Sequence, residues 1–116
     1  MFLVPQITDY RFGHVTVDGR ELTRDVIVLP SRVVENWWRR DGHELVWEDL
    51  EGVVDDLPER LVVGMGADGR MRPDPGTLDR LRGRGVEVEC HRTDRAIARL
   101  AELDPATTAA ALHLTC

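Results

Sequence analysis

Hydrophobic and polar positions change rhythm along this chain. From Ile7 to Val17 they alternate with a period of two, broken at Gly13, the pattern of half-buried strands. Asp18-Gly19 is a two-residue hairpin signal. Asp25-Val26-Ile27-Val28-Leu29 then reads as a buried strand, stopped by Pro30. The first thirty or so residues therefore predict a β-meander. Residues 31–46 have no clean period and predict a long connection with room for one short helical turn.

The second half changes to helical spacing. Leu50, Val53, Val54 and Leu57 fall at i, i+3, i+4 and i+7, with Glu48 and Asp49 ahead of them and Pro58 behind. That spacing predicts an amphipathic helix with acids suited to its first turn. Val46, however, stands where its N-cap would want a small polar residue. Leu61-Val62-Val63 reads as a core strand running into Gly64-Met65-Gly66. Asp74 is a natural N-cap with Pro75 at the first helical position. Leu78 and Leu81 are read as facing inward, with Gly83 and Gly85 as the stop. Val86 to Cys90 alternates as a strand. Thr93 reads as the cap of a last helix with Ile97, Leu100 and Ala101 on one stripe, and Ala109 to Leu114 as the final strand. This β-α-β-α-β order predicts parallel neighbouring strands with helices packed on the sheet. No linker or repeat interrupts residues 1–116, so a single domain is expected.

Composition narrows the function. The 116 residues are 42% apolar and 31% charged, which suits a globular chain rather than a disordered one. The formal charge of −6 argues against nucleic acid and against a polybasic membrane patch. Met1-Phe2-Leu3-Val4 is too short for a signal segment, and no apolar run approaches the roughly 18 residues of a span, so no membrane association is expected. Two cysteines, Cys90 and Cys116, are too few for a disulfide framework; a reducing, cytoplasmic setting is expected. All 15 basic residues are Arg. Without Lys there is no phosphate-loop lysine, Schiff base or lysine general base. Ser31 is the one serine and lacks a G-x-S-x-G setting.

Taken in order, the residues carry a family resemblance. Asp18-Gly19, Asp25 to Pro30, Trp38-Arg39-Arg40-Asp41-Gly42-His43, Val62 to Gly66, Gly85 to Val88, Thr93, and His113-Leu114-Thr115-Cys116 together resemble the Mth domain of unknown function. That family includes an adipogenesis-associated Mth-domain protein and a mitochondrial complex I assembly factor. The resemblance covers roughly residues 7 to 116. It implies a layered α/β fold with a central mixed sheet and an added N-terminal β-hairpin layer. It implies no enzymatic activity, and binding or assembly roles instead. With no mitochondrial leader seen, it implies a stand-alone bacterial form.

Four groups of residues are candidates for chemistry. Gly64-Met65-Gly66-Ala67-Asp68-Gly69 spells G-x-G-x-x-G after a strand, but a dinucleotide site needs the helix to open directly on that turn. Arg70 to Pro73 intervene, so the glycines are expected to serve tight turns. His113-x-x-Cys116 and Cys90-His91 put side chains on opposite faces of a strand, which suits no metal; Cys90 with His113 stays open if their strands are neighbours. Cys116 as a nucleophile beside His113 or His91 is weighed against a packed or mobile terminal thiol, which is preferred. Trp37-Trp38-Arg39-Arg40 with Gly42 and His43 is the densest unusual cluster. It reads either as a core tryptophan with solvated arginines or as a recognition patch, since Trp and Arg dominate binding hot spots. Beside Gly64 and Gly66, Arg39 and His43 would form a small anion pocket. The expected site is Trp38, Arg39, Arg40, His43, Gly64, Gly66, His113 and Cys116. The expected function is a non-catalytic module for a protein partner. The alternative is a sensor or enzyme for a small anion, with His43 as acid or base. No metal and no cofactor are expected.

Overall fold

The structure is a computed structural model that describes residues 4–116. Met1–Leu3, from the apolar start read above, lie outside the described residues. Three antiparallel strands open the chain: β1 (Ile7–Arg11), β2 (His14–Val17) and β3 (Arg20–Leu22). Arg11 pairs with His14 and Val17 with Arg20, so both connections are two residues long. Asp18 at φ 50° and Gly19 at φ 80° take the left-handed pair that a tight hairpin needs. The break read at Gly13 is thus the turn between two strands.

The expected meander ends there. β4 (Val26–Val28) leaves it and enters a five-stranded sheet with β5 (Val33–Val34), β7 (Arg60–Met65), β9 (Glu87–His91) and β10 (Thr108–His113). All three residues of β4 are buried. A strand apolar at consecutive positions needs cover on both faces, which a meander with one wet face does not give. The order is β5-β4-β10-β7-β9. β4 runs antiparallel to both its neighbours, while β10-β7 and β7-β9 are parallel, so the sheet is mixed. A small parallel bridge joins β6 (Glu44–Leu45) to β8 (Arg72–Pro73).

Each face of the sheet has its own core. On one side Ile27, Leu61, Val63, Ala109 and Ala111 meet Trp37, Leu45, Leu50, Met71 and Leu81. On the other Val26, Val28, Val62, Ala110 and Leu112 meet Val15 and Val17 of the meander and Ala96 of the last helix. α1 (Pro75–Gly83) follows the sequence reading closely. Asp74 accepts from the Thr77 amide, and Gly85 at φ 87° follows its end. Its buried residues are Thr77 and Leu81, with Leu78 only half-buried.

Two readings need correction. Residues 47–57 do not form an amphipathic α-helix. They make two 3₁₀ turns, Trp47–Asp49 and Val54–Asp56, that still bury Leu50 and Val53. Gly52 and the β-branched pair Val53-Val54 are weak helix formers. The Asp49 carboxylate also takes the Val46 and Arg40 amides, holding the turn short. In α2 (Thr93–Leu100), Thr93 is no cap. Its buried hydroxyl accepts from the Gly66 amide and donates to the His113 carbonyl, tying the helix start to β7 and β10. Ala101 is exposed; Thr93 and Ala96 form the buried stripe instead, with Ile97 and Leu100 half-buried. No helix among the described residues is long and apolar enough to cross a membrane.

Candidate functional site

Residues 37–40 alternate like a strand: Trp37 and Arg39 point in, Trp38 and Arg40 point out. The inner pair is fixed. Trp37 donates through its amide to Asp25 O (2.8 Å) and through Nε1 to Asp49 O (2.9 Å). The Arg39 guanidinium lies 5.0 Å from the Trp37 ring centre, with its side chain only 4% exposed. Arg39 Nη1 donates to Asp25 Oδ2, and Nη2 donates to Gly42 O at 2.9 Å.

Asp25 is the hub. Its Oδ1 takes the Leu114 amide at 2.9 Å, and Oδ2 also lies 2.8 Å from His113 Nδ1. Burial alone would raise the Asp25 carboxyl. The hydrogen bonds from His113 and Arg39, then from Leu114, outweigh burial and hold it below the ordinary carboxylate value. A carboxylate only accepts, so the His113 proton is assigned to Nδ1. Arg39 Nη2, 3.1 Å from the same Nδ1, then spends its hydrogen bond on Gly42. His113 Nε2 and Arg39 Nε are buried with no hydrogen-bond partner among the described residues.

The glycine corner closes over this cluster. Gly66 sits at φ 98°, and a Cβ there would lie 2.5 Å from the Cys116 carbonyl carbon and 2.7 Å from His113 Cδ2. Only glycine fits. The surrounding amides are used within the chain: Gly66 N–H on Thr93, Ala67 N–H on Thr115 O and Arg70 N–H on Cys116 O. The helix that a dinucleotide fingerprint would need starts only at Pro75, beyond β8.

The expected site residues therefore divide. Arg39, Gly66, His113 and the Cys116 backbone come together at the C-terminal ends of β7 and β10. Gly64 lies two residues earlier on β7, where a Cβ would press on Leu112 and Thr93. Trp38, Arg40 and His43 are exposed. Cys90 and His113 are kept apart by β7, which pairs with both of their strands, so the open pairing of these two is ruled out. Burial pushes the Cys90 thiol up, against a smaller pull from Arg82. No group of three or more His, Cys, Asp or Glu that could hold a metal occurs among the described residues. Asp25 and Thr93 are the members sequence reasoning missed. A charge directly before a fully apolar strand was the available signal for Asp25, because such a carboxylate must find a partner.

Comparison with known proteins fits this architecture. The model of a family described as protein of unknown function (DUF498/DUF598) matches residues 7–113. The conserved hypothetical protein PH1505 from Pyrococcus horikoshii OT3 is 28% identical, with 96% of this chain and 99% of that one aligned at a TM-score of 0.80. A protein named MT938 is 27% identical over 97% of this chain and 99% of its own, at 0.76. A Bordetella pertussis protein described as a Mth938-like domain shares the fold at 18% identity and 0.68, over 95% and 85%. A match that runs from β1 to the last residue of β10 leaves one conclusion: this chain belongs to the DUF498/DUF598 family, Mth938-like domains of unknown function.

Proposed function

We propose that this domain is a non-catalytic protein-binding or assembly module that docks through the Trp37–His43 loop. The observation that carries this reading is Trp38, 78% exposed on a segment locked on both sides. Trp37 and Arg39 anchor it inward, and the Arg40 amide is held by Asp49 Oδ1 at 3.0 Å. Such an indole is presented without a large ordering cost on binding. Covering it would contribute on the order of 3–5 kcal/mol from area alone, the size of a hot spot. Phe12, also exposed, sits at the tip of the β1–β2 hairpin. The next residue, Gly13, donates to Leu114 O, which places that tip at the same end of the molecule.

A small-anion site at Arg39, His43 and Gly64–Gly66 has less support. Both terminal nitrogens of Arg39 and the neighbouring amides already have partners, and among the described residues no carboxylate orients the His43 ring. The same reading places the domain in a bacterial cytoplasm, where Cys90 and Cys116 stay free thiols. The test is affinity capture from source cells with the native chain and with Trp38→Ala. The native chain is expected to retain a stoichiometric protein that Trp38→Ala loses, at an unchanged melting temperature. Identical retention by both would refute the docking role.

A further inference from the structure

A second, unrelated site lies at the other end of the sheet. A half-enclosed cavity of about 350 Å³ opens between α2, the Pro5–Thr8 segment and the sheet. Thr108, the first residue of β10, lines it, whereas His113, the last, belongs to the Asp25 cluster. Five residue steps along the strand set the two about 17 Å apart.

Side-chain size explains the opening. Ile97, Leu100 and Leu103 pack against the core on this face yet stay half-buried. The strand beneath them offers Ala110 and Thr108, too short to fill the gap. Among the described residues, no Asp, Glu, Arg or His lines the cavity. Its polar groups are Gln6, Thr8 and Thr108, and neither threonine hydroxyl makes an intramolecular hydrogen bond among the described residues. Small-molecule sites have this character, an apolar wall with a few polar groups.

We propose that this cavity binds a small, uncharged, mainly apolar molecule, such as a single hydrocarbon chain or ring bearing at most one hydroxyl, ester or amide for Thr8 or Thr108. A charged head group finds no counter-ion there and is disfavoured by its desolvation cost.

The probe is N-phenyl-1-naphthylamine, an uncharged dye that brightens in apolar sites, titrated into the full chain. One molecule is expected to bind per chain. Decan-1-ol should displace it at least about tenfold more effectively than decanoate. Ala110→Leu, which fills the floor, should abolish binding. Should that variant fail to fold, Ala101→Leu narrows the same cavity from an exposed position just past the end of α2 and should weaken binding by about tenfold. Trp38→Ala should change nothing. Absence of dye binding, equal displacement by the alcohol and the acid, full binding by a folded Ala101→Leu, or loss of binding in Trp38→Ala would each overturn the assignment.

Discussion

Asp25 gathers groups that lie far from it in the chain: Arg39, His113 and the Leu114 amide are 14, 88 and 89 positions away. Arg39 is nearly fully buried, so its charge depends on this carboxylate. Asp25→Ala leaves that cation buried and unpaired and should cost about 3–5 kcal/mol. Arg39→Met costs less, because His113 and the Leu114 amide still satisfy the carboxylate. The double variant should cost less than the sum of the singles, by about 1–3 kcal/mol of coupling. Urea denaturation of the four proteins checks this, and simple additivity would show that the pair is not a unit. The composition of the Trp37–His43 cluster was visible in the sequence, and its in–out alternation divides it into a buried half and an exposed half. The hub was not visible, because the partners of Asp25 come together only through the pairing of β4 with β10.

At the scale of elements, local chemistry explains what could be read. Asp74, Pro75 and Gly85 define α1 through short-range hydrogen bonds and backbone preference, so their spacing sufficed. Residues 47–57 carry the same apolar spacing without a cap and with Gly52 inside, and tertiary contacts through Asp49 decide for 3₁₀ turns. Thr93 shows the opposite case: a residue with capping chemistry is taken over by long-range partners. Glycines divide along the same line. Gly66→Ala forces a Cβ into the Cys116 backbone at a left-handed φ and should destabilise by about 1–3 kcal/mol or more. Gly83→Ala, the last residue of α1 with nothing within 4 Å of its new methyl, should stabilise by about 0.4–1 kcal/mol. Thermal melts of the two variants should therefore move in opposite directions; a downward shift for both would mean that the end of α1 is under strain not apparent in its geometry.

For the whole molecule, β10 is the axis on which both cores and the candidate cluster depend. It is buried along all six residues and hydrogen-bonded on both edges. The β-α-β-α-β half was legible because crossovers nearly dictate parallel pairing. The insertion of β4 beside β10 was not, since periodicity reveals a buried strand without naming its neighbour. The meander attaches by a different means. Val15 and Val17 pack on the sheet, and Leu114 O accepts from the Gly13 amide (2.8 Å) and from Tyr10 Oη–H (3.1 Å). The meander is expected to open while β7 and β10 stay paired. Tyr10→Phe removes one of these bonds, about 1 kcal/mol, so amides of His14–Val17 should exchange about fivefold faster. Amides of Leu61–Val63 and Ala109–Leu112 open only with global unfolding and should slow or speed no more than overall stability does. Native-state hydrogen exchange reads both sets at once. Equal acceleration of the two would mean that the meander and the central sheet open as one body.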